Sequence, residues 1–232
     1  MSLTDRPAPA RTDVSGADTS AATSSRVPAQ RTRRQHEPLA DPPTASWVRR
    51  RAAVLVAGGL AWSLTTYAVG LNTPAGELPG RIADLSSFCF QAGVMALLTI
   101  IHRTQALGPG RVARGFLRVE AVLLGLAMVN SLLAATVADM GNPVQFWTDP
   151  FWPLSMLGML VCGVRIAVAG RWQGVLRFYP SIAEAYFPLV MGSILLFGRD
   201  AADIASGTVV LLGYTGMGVV IAARPDLVGA RG

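Results

Sequence analysis

Three ionisable side chains that could do chemistry, Glu120, Arg165 and Glu184, lie within or at the edge of long apolar stretches. A charge in hydrocarbon is costly unless it pairs, faces water or reaches the interface, so such residues are candidates for functional sites. Counting along the sequence puts all three near the same end of their stretches. We therefore expect an ion pair between Arg165 and Glu184, with Glu120 as the alternative acidic partner.

Glu184 has three interpretations. Ser181 and Glu184 fit the S-x-x-E capping box, in which the glutamate bonds the first amide of a helix. The ion pair with Arg165 is the second interpretation. The third begins with Pro188, which lacks the N–H that would bond the Glu184 carbonyl and so predicts a helix break. A carboxylate beside a freed carbonyl could bind a cation or relay a proton, as broken helices do in transporters. The sequence favours a cap or a static ion pair over a functional carboxylate.

Three uncharged polar side chains also stand in apolar surroundings: Gln91, Asn130 and Tyr214. Gln91 and Asn130 are expected at similar depths on consecutive antiparallel helices, which predicts a hydrogen bond between them. Such bonds average ~0.6 kcal/mol in membranes, enough to fix a helix rotation. The alternative is that both amides line a polar pathway. Tyr214 needs a partner for its hydroxyl if it faces protein.

The elements that must position these residues are six apolar stretches. Each approaches the ~20 residues that a helix needs to cross ~30 Å of hydrocarbon. Backbone polar groups in a bilayer must be satisfied internally, so the stretches predict an all-α polytopic membrane protein with six transmembrane helices. Composition agrees, because 51% of the residues are apolar and 15% charged, against ~25% charged in soluble domains. The predicted helices cover about 52–71, 85–101, 119–138, 152–169, 182–197 and 204–222.

Arginine is concentrated on alternate connections, which predicts the orientation. One side carries Arg49, Arg50, Arg51, Arg103, Arg111, Arg114, Arg118, Arg171, Arg177, Arg224 and Arg231. The other side carries Arg81 and Arg199 among Glu77, Asp84, Asp139, Asp149, Asp200 and Asp203. Short loops rich in Lys and Arg stay cytoplasmic, so we expect a multi-pass protein of the plasma membrane with both termini in the cytoplasm.

The domain organisation follows from a change in composition. Residues 1–46 are rich in Ala, Ser, Thr, Pro and Arg, with few large aliphatic side chains. Such a segment cannot bury enough apolar area to offset chain entropy, which predicts a disordered cytoplasmic tail. The transmembrane domain is expected over 47–223, followed by a short cytoplasmic C-terminus at 224–232.

The sequence lacks the common motifs of metal-binding, nucleotide-binding and catalytic sites. It contains no CxxC, HxxxH, Walker, HExxH or GxSxG pattern and no cluster of carboxylates, so we expect no metal, no cofactor and no catalytic residue. The net charge of +6 is assigned to anionic lipids of the inner leaflet and not to nucleic acid, since the arginines flank apolar stretches.

These observations lead to an ordered set of functional expectations. The first is a non-catalytic accessory, scaffold or partner-binding membrane protein, with a membrane-protein partner or a second copy of the chain as its contact. The alternative is a small transporter or permease subunit for an ion or small solute, suggested by Pro188 and a glycine-rich last helix. An intramembrane enzyme ranks third, and the chain is expected not to be an enzyme.

Overall fold

The computed structural model describes residues 41–71, 73–74, 76–137 and 143–232, and these residues form an all-α bundle. Six of its helical segments are long and apolar enough to cross a membrane: Ala45–Val69, Leu78–Arg103, Arg111–Thr136, Pro143–Ala169, Tyr179–Phe197 and Arg199–Ala223. The predicted fold class, a six-helix multi-pass membrane protein, is confirmed. The predicted disorder of the tail falls, for residues 1–40, outside the described residues.

The first three spans are single helices that begin seven or eight residues before the predicted apolar stretches: α1 (Ala45–Val69), α2 (Leu78–Arg103) and α3 (Arg111–Thr136). The N-terminal end of α1 shows the reason. Its arginines continue the helical backbone while their charges reach the surface, and Thr44 caps the first turn by accepting a bond from the Trp47 amide at 3.4 Å. The apolar stretches mark the part of each helix that matches the hydrocarbon, whereas the helices themselves begin earlier, among charged residues.

The other three spans are interrupted. The fourth consists of a short helix α4 (Pro143–Thr148) followed by α5 (Phe151–Ala169). The fifth consists of α6 (Tyr179–Ala183) and α7 (Tyr186–Phe197), separated at Glu184 and Ala185. The sixth consists of α8 (Arg199–Val210), a π-helical turn over Leu211–Thr215 and α9 (Gly216–Ala223). Two of these interruptions face each other and build the site described below.

Glycines let helix α1 lie close to its neighbours. A Cβ at Gly58 would overlap the Cys89 carbonyl of α2, and one at Gly218 would lie 3.2 Å from the Ala52 carbonyl of α1. Small residues of this kind allow the backbone-to-backbone packing on which membrane helices rely. Helix α1 is therefore held tightly between α2 and the last span.

The two ends of the bundle differ in charge. The end that carries the N-terminus of α1 is called the arginine-rich end, and the opposite one the acidic end. At the arginine-rich end the C-terminal segment returns to α1, because the Ala45 amide donates to the Arg231 carbonyl at 2.8 Å. Nearby, the fully buried Trp172 donates its indole N–H to Thr104 Oγ1 at 3.0 Å.

Candidate functional site

A polar cavity of about 310 Å³ opens at the acidic end, between α1, α2, α3 and the start of α5. Its walls carry hydroxyl groups, amides, two tryptophans and two carboxylates. None of the described residues that line it is basic. The polar and aromatic lining includes Trp62, Thr65, Thr66, Thr73, Asp84, Ser86, Ser87, Gln91, Asn130, Ser131, Gln145, Asp149 and Trp152.

Gln91 forms the floor of this cavity and is only 1% exposed. Its Nε2 donates to Ser131 Oγ at 2.9 Å and more weakly to Ser87 Oγ at 3.4 Å. Its Oε1 is buried without a hydrogen-bond partner among the described residues, and so is the indole Nε1 of Trp62. Unpaired buried polar groups are costly. The floor therefore offers one acceptor and one donor to whatever enters.

Asn130 lies higher in the same cavity. It accepts a bond from Thr148 Oγ1 at 3.0 Å and donates to Asp149 Oδ1 at 3.3 Å. The structure thus does not join Gln91 to Asn130, because the neighbouring Ser131 faces the glutamine instead. Both amides nevertheless line one cavity, which is the arrangement of the polar-pathway alternative.

An aromatic layer lies beside the cavity floor, since Phe90 precedes Gln91 on α2 and two of its rings, Trp62 and Trp152, also line the cavity. Phe90 is at its centre, with edge-to-face contacts to Tyr214 at 4.9 Å and to Trp152 at 6.1 Å between ring centroids. Trp62 packs on the other side of Phe90 at 6.1 Å. A gap of about 10 Å³ remains among these rings, enough for roughly one water-sized group. Through the contact of Phe90 with Tyr214, the layer joins the cavity wall to the interior of the bundle.

Glu184 is connected to the aromatic layer through Tyr214 and is 4% exposed. Its Oε1 accepts a hydrogen bond from the Tyr214 hydroxyl, and its Oε2 is buried without a partner among the described residues. Glu184 itself stands at the break between α6 and α7, and Tyr214 lies in the π-helical turn. Two irregular segments thus bring this pair together. Glu184 is therefore the hydrogen-bond partner that the Tyr214 hydroxyl requires.

Glu120 is a second buried carboxyl group, only 1% exposed. Its Oε1 accepts a bond from Ser155 Oγ at 2.7 Å across the contact between α3 and α5. Its other oxygen fills the space beside Gly158, where a Cβ would overlap it. With Glu184, the interior therefore holds two buried carboxyl groups.

Arg165 does not join this group. Its side chain is exposed, and no described acidic residue lies within the 4.0 Å of an ion pair. The expected pair of Arg165 with Glu184 or Glu120 is absent from the described residues because the arginine points away from the bundle. The next residue, Ile166, is the one that is fully buried.

The capping box is not formed either. Helix α6 begins at Tyr179, before Ser181, and the Ser181 hydroxyl is buried without a described partner. Glu184 ends this helix and bonds Tyr214 instead of reaching back to its start. The helix break falls at Glu184 and Ala185, four and three residues before Pro188, which lies in the first turn of α7. This is where the missing proline N–H interrupts the ladder.

Sequence reasoning missed Ser155, Gly158 and the two aspartates of the cavity, Asp84 and Asp149. No local pattern marks them, since their roles come from helices and loops far apart in the chain. Among the described residues, no group of three or more His, Cys, Asp or Glu side chains could hold a metal ion.

Comparison with known proteins finds no family model, curated protein or solved structure that matches the chain. The class of protein is therefore defined by the fold and the candidate site alone. The protein is an all-α, six-span membrane protein with a polar cavity at one end and two buried carboxyl groups in its interior.

Proposed function

We propose that the protein is a small membrane carrier for a cation or a small cationic solute, the second of the functions expected from the sequence. The observation that carries the proposal is a chain of contacts, in which the tryptophans of an acidic cavity pack on Phe90, Phe90 contacts Tyr214, and Tyr214 bonds the buried Glu184. An accessory protein needs no such arrangement, which makes the carrier the better account.

The chemistry of the cavity favours a positive charge. Asp84 and Asp149 line it without a described basic neighbour in the wall. Trp62 and Trp152 add aromatic faces, which attract cations through their quadrupoles. The unpaired acceptor of Gln91 at the floor would receive a hydrogen bond from an ammonium group. An anionic solute would meet repulsion from both aspartates.

The buried groups joined to the layer supply the continuation of the path. Glu184 presents an unpaired carboxyl oxygen, and Tyr214 connects this carboxyl group to Phe90 in the aromatic layer. Non-helical backbone at membrane depth is tolerated only inside protein or beside a cavity, and transporters build ion sites from such breaks. π-Helical turns, like the one around Tyr214, are frequent at functional sites. Both breaks therefore support a role beyond packing.

The proposal includes the membrane and the orientation. We place the protein in the cell membrane with both termini in the cytoplasm, because the arginine-rich end fits the inner leaflet. The acidic cavity then faces outward and receives the cation from outside. The protein itself is proposed to be non-enzymatic, with no cofactor, and to contact anionic inner-leaflet lipids.

Flux into proteoliposomes tests this function. Purified protein is reconstituted, and uptake of Na⁺, K⁺, methylammonium and tetramethylammonium is measured, together with proton movement reported by an internal pH dye. We expect flux of at least one of these cations above that of empty liposomes. Glu184→Gln keeps an acceptor for Tyr214, so it should fold but lose most of the flux.

Two aspartate variants provide the matched control. Asp84→Asn removes a charge from the cavity wall and should raise the half-saturating cation concentration. Asp200→Asn removes a charge from an exposed position at the same end, outside the cavity, and should leave it unchanged. Absence of flux for every cation would overturn the carrier and return the accessory function to first place. A native partner that co-purifies would then support that function.

A further inference from the structure

A second cavity lies at the arginine-rich end and has the opposite character. It is a groove of about 360 Å³ between α1, α2 and α3. Its walls are apolar and are formed chiefly by Met95, Leu98, Leu117 and Ala121. At 1.5 Å per residue, Met95 lies about 12 Å along α2 from Arg103, so the groove extends from the helix ends into the hydrocarbon level.

The mouth of this groove carries three arginines, one from each helix: Arg51, Arg103 and Arg118. Arg51 stacks over the ring of Trp47 at 5.4 Å. Arg103 reaches the exposed Asp41 at 3.6 Å, a contact of the kind that contributes little in water. Arg118 has no ion pair among the described residues, and none of the described residues that line the groove is acidic. The mouth therefore has positive charge in excess.

We infer that this groove is a binding site for one anionic phospholipid, its phosphate held by Arg51, Arg103 and Arg118 and one acyl chain lying against Met95 and Leu98. Apolar walls beneath a cationic mouth match an amphiphile with a negative head. Basic pockets between membrane helices on the cytoplasmic side bind anionic head groups in this way. The inference does not depend on transport; it rests on the proposed orientation and gives the proposed contact with anionic inner-leaflet lipids a defined site.

The groove matches both the negative head group and the acyl chain of the lipid. A soluble phosphate would use the arginines but would leave the apolar walls exposed. A zwitterionic lipid would fill the walls but gain less at the mouth, because its head group carries no net charge. An anionic phospholipid satisfies both parts of the groove.

Lipid binding to the detergent-solubilised full chain tests the site. Native mass spectrometry counts bound phosphatidylglycerol and phosphatidylcholine, and thermal unfolding measures the stabilisation each gives. We expect one tightly bound phosphatidylglycerol. Arg118→Gln should weaken its binding by about fivefold, the worth of one basic residue near the lipid surface, whereas Arg118→Lys should retain most of it.

Matched variants separate this site from general attraction of lipid. Arg114→Gln removes an exposed arginine of the same helix, outside the groove, and should leave binding unchanged. Ala121→Leu narrows the groove without changing its charge and should weaken binding as Arg118→Gln does. An equal loss in Arg114→Gln, equal binding of phosphatidylcholine, or equal stabilisation by glycerol 3-phosphate would overturn the inference. Unchanged binding in Ala121→Leu would exclude the acyl chain from the groove and overturn it too.

Discussion

Gly158→Ala tests most directly whether Glu120 occupies the interior as described. An alanine Cβ at this position would overlap Oε2 of Glu120 and lie 2.7 Å from its carboxyl carbon. The carboxyl group is buried and fixed by Ser155 at 2.7 Å, so it can move only by breaking that bond. A methyl group, the smallest side chain, is thus enough to disturb the site.

The magnitude follows from two opposing effects. Loss of a buried hydrogen bond to a carboxyl group costs about 1.5–3 kcal/mol. Replacing glycine by alanine within a helix favours folding by up to about 1 kcal/mol. Gly158→Ala should therefore lower the free energy of unfolding by about 1–2 kcal/mol. The control is Gly125→Ala in α3, where a Cβ would meet nothing within 4 Å and where the helix preference alone should act.

Thermal unfolding in detergent, monitored by circular dichroism, compares these two variants with the parent protein. The decisive measurement is the double variant with Glu120→Ala, in which the carboxyl group that obstructs the introduced methyl group is gone. Adding Gly158→Ala to Glu120→Ala should then stabilise the protein by up to about 1 kcal/mol, giving a coupling energy of about 1–3 kcal/mol between the two sites. Equal losses in both backgrounds, or a Gly158→Ala variant as stable as Gly125→Ala, would refute the placement of Glu120.

Three further predictions concern two other hydrogen bonds and the orientation in the membrane. Tyr214→Phe should lower stability by about 1–3 kcal/mol in detergent unfolding, because a buried carboxyl group loses its donor; Tyr67→Phe, at an exposed hydroxyl, should cost less, and equal costs would contradict the pairing. Thr104→Val should cost about 1–3 kcal/mol and shift the fluorescence of Trp172, whose indole loses its acceptor; an unchanged spectrum and stability would count against this bond. Reporter fusions at residue 145 should report the outside and those at 110 the cytoplasm, and reversed signals would invert the proposed topology.

The six spans could be predicted because hydrocarbon imposes a local constraint on sequence. A stretch must be apolar over its whole length and must satisfy its own backbone, so each helix is visible without knowledge of its neighbours. The ends of the helices could not be predicted in the same way. Helix α3 begins at Arg111, eight residues before the apolar stretch at 119, because arginine is a good helix former whose charge reaches the surface.

The pairings of polar residues could not be predicted, because the sequence gives the depth of a side chain in the membrane but not its direction around the helix axis. Each residue along a helix turns the side chain by about 100°. Asn130 and Ser131 have nearly the same depth, yet Ser131 is the one that meets Gln91. Arg165 points outward while Ile166 is buried. The rotation of each helix depends on packing against its neighbours, which a single sequence does not contain.

The cavity shows a second limit. Asp84 comes from the start of α2 and Asp149 from the turn before α5, and each reads in the sequence as an ordinary interfacial acid. They share a wall where Thr148 and Asp149, at the turn between α4 and α5, bond Asn130 of α3. The cavity therefore arises from the tertiary arrangement.

Two buried carboxyl groups are difficult to explain as structural supports. Burying ionisable groups carries a desolvation penalty, and apolar side chains of similar volume often stabilise an interior as well or better. The fold nevertheless leaves the space beside Gly158 for Glu120 and uses the irregular turn of Tyr214 to reach Glu184. If these groups serve cation movement, Glu184→Gln should remove most of the flux while stability changes little. If they serve packing, stability should fall and flux in the remaining folded protein should persist, so the two measurements together distinguish a working carboxyl group from a structural one.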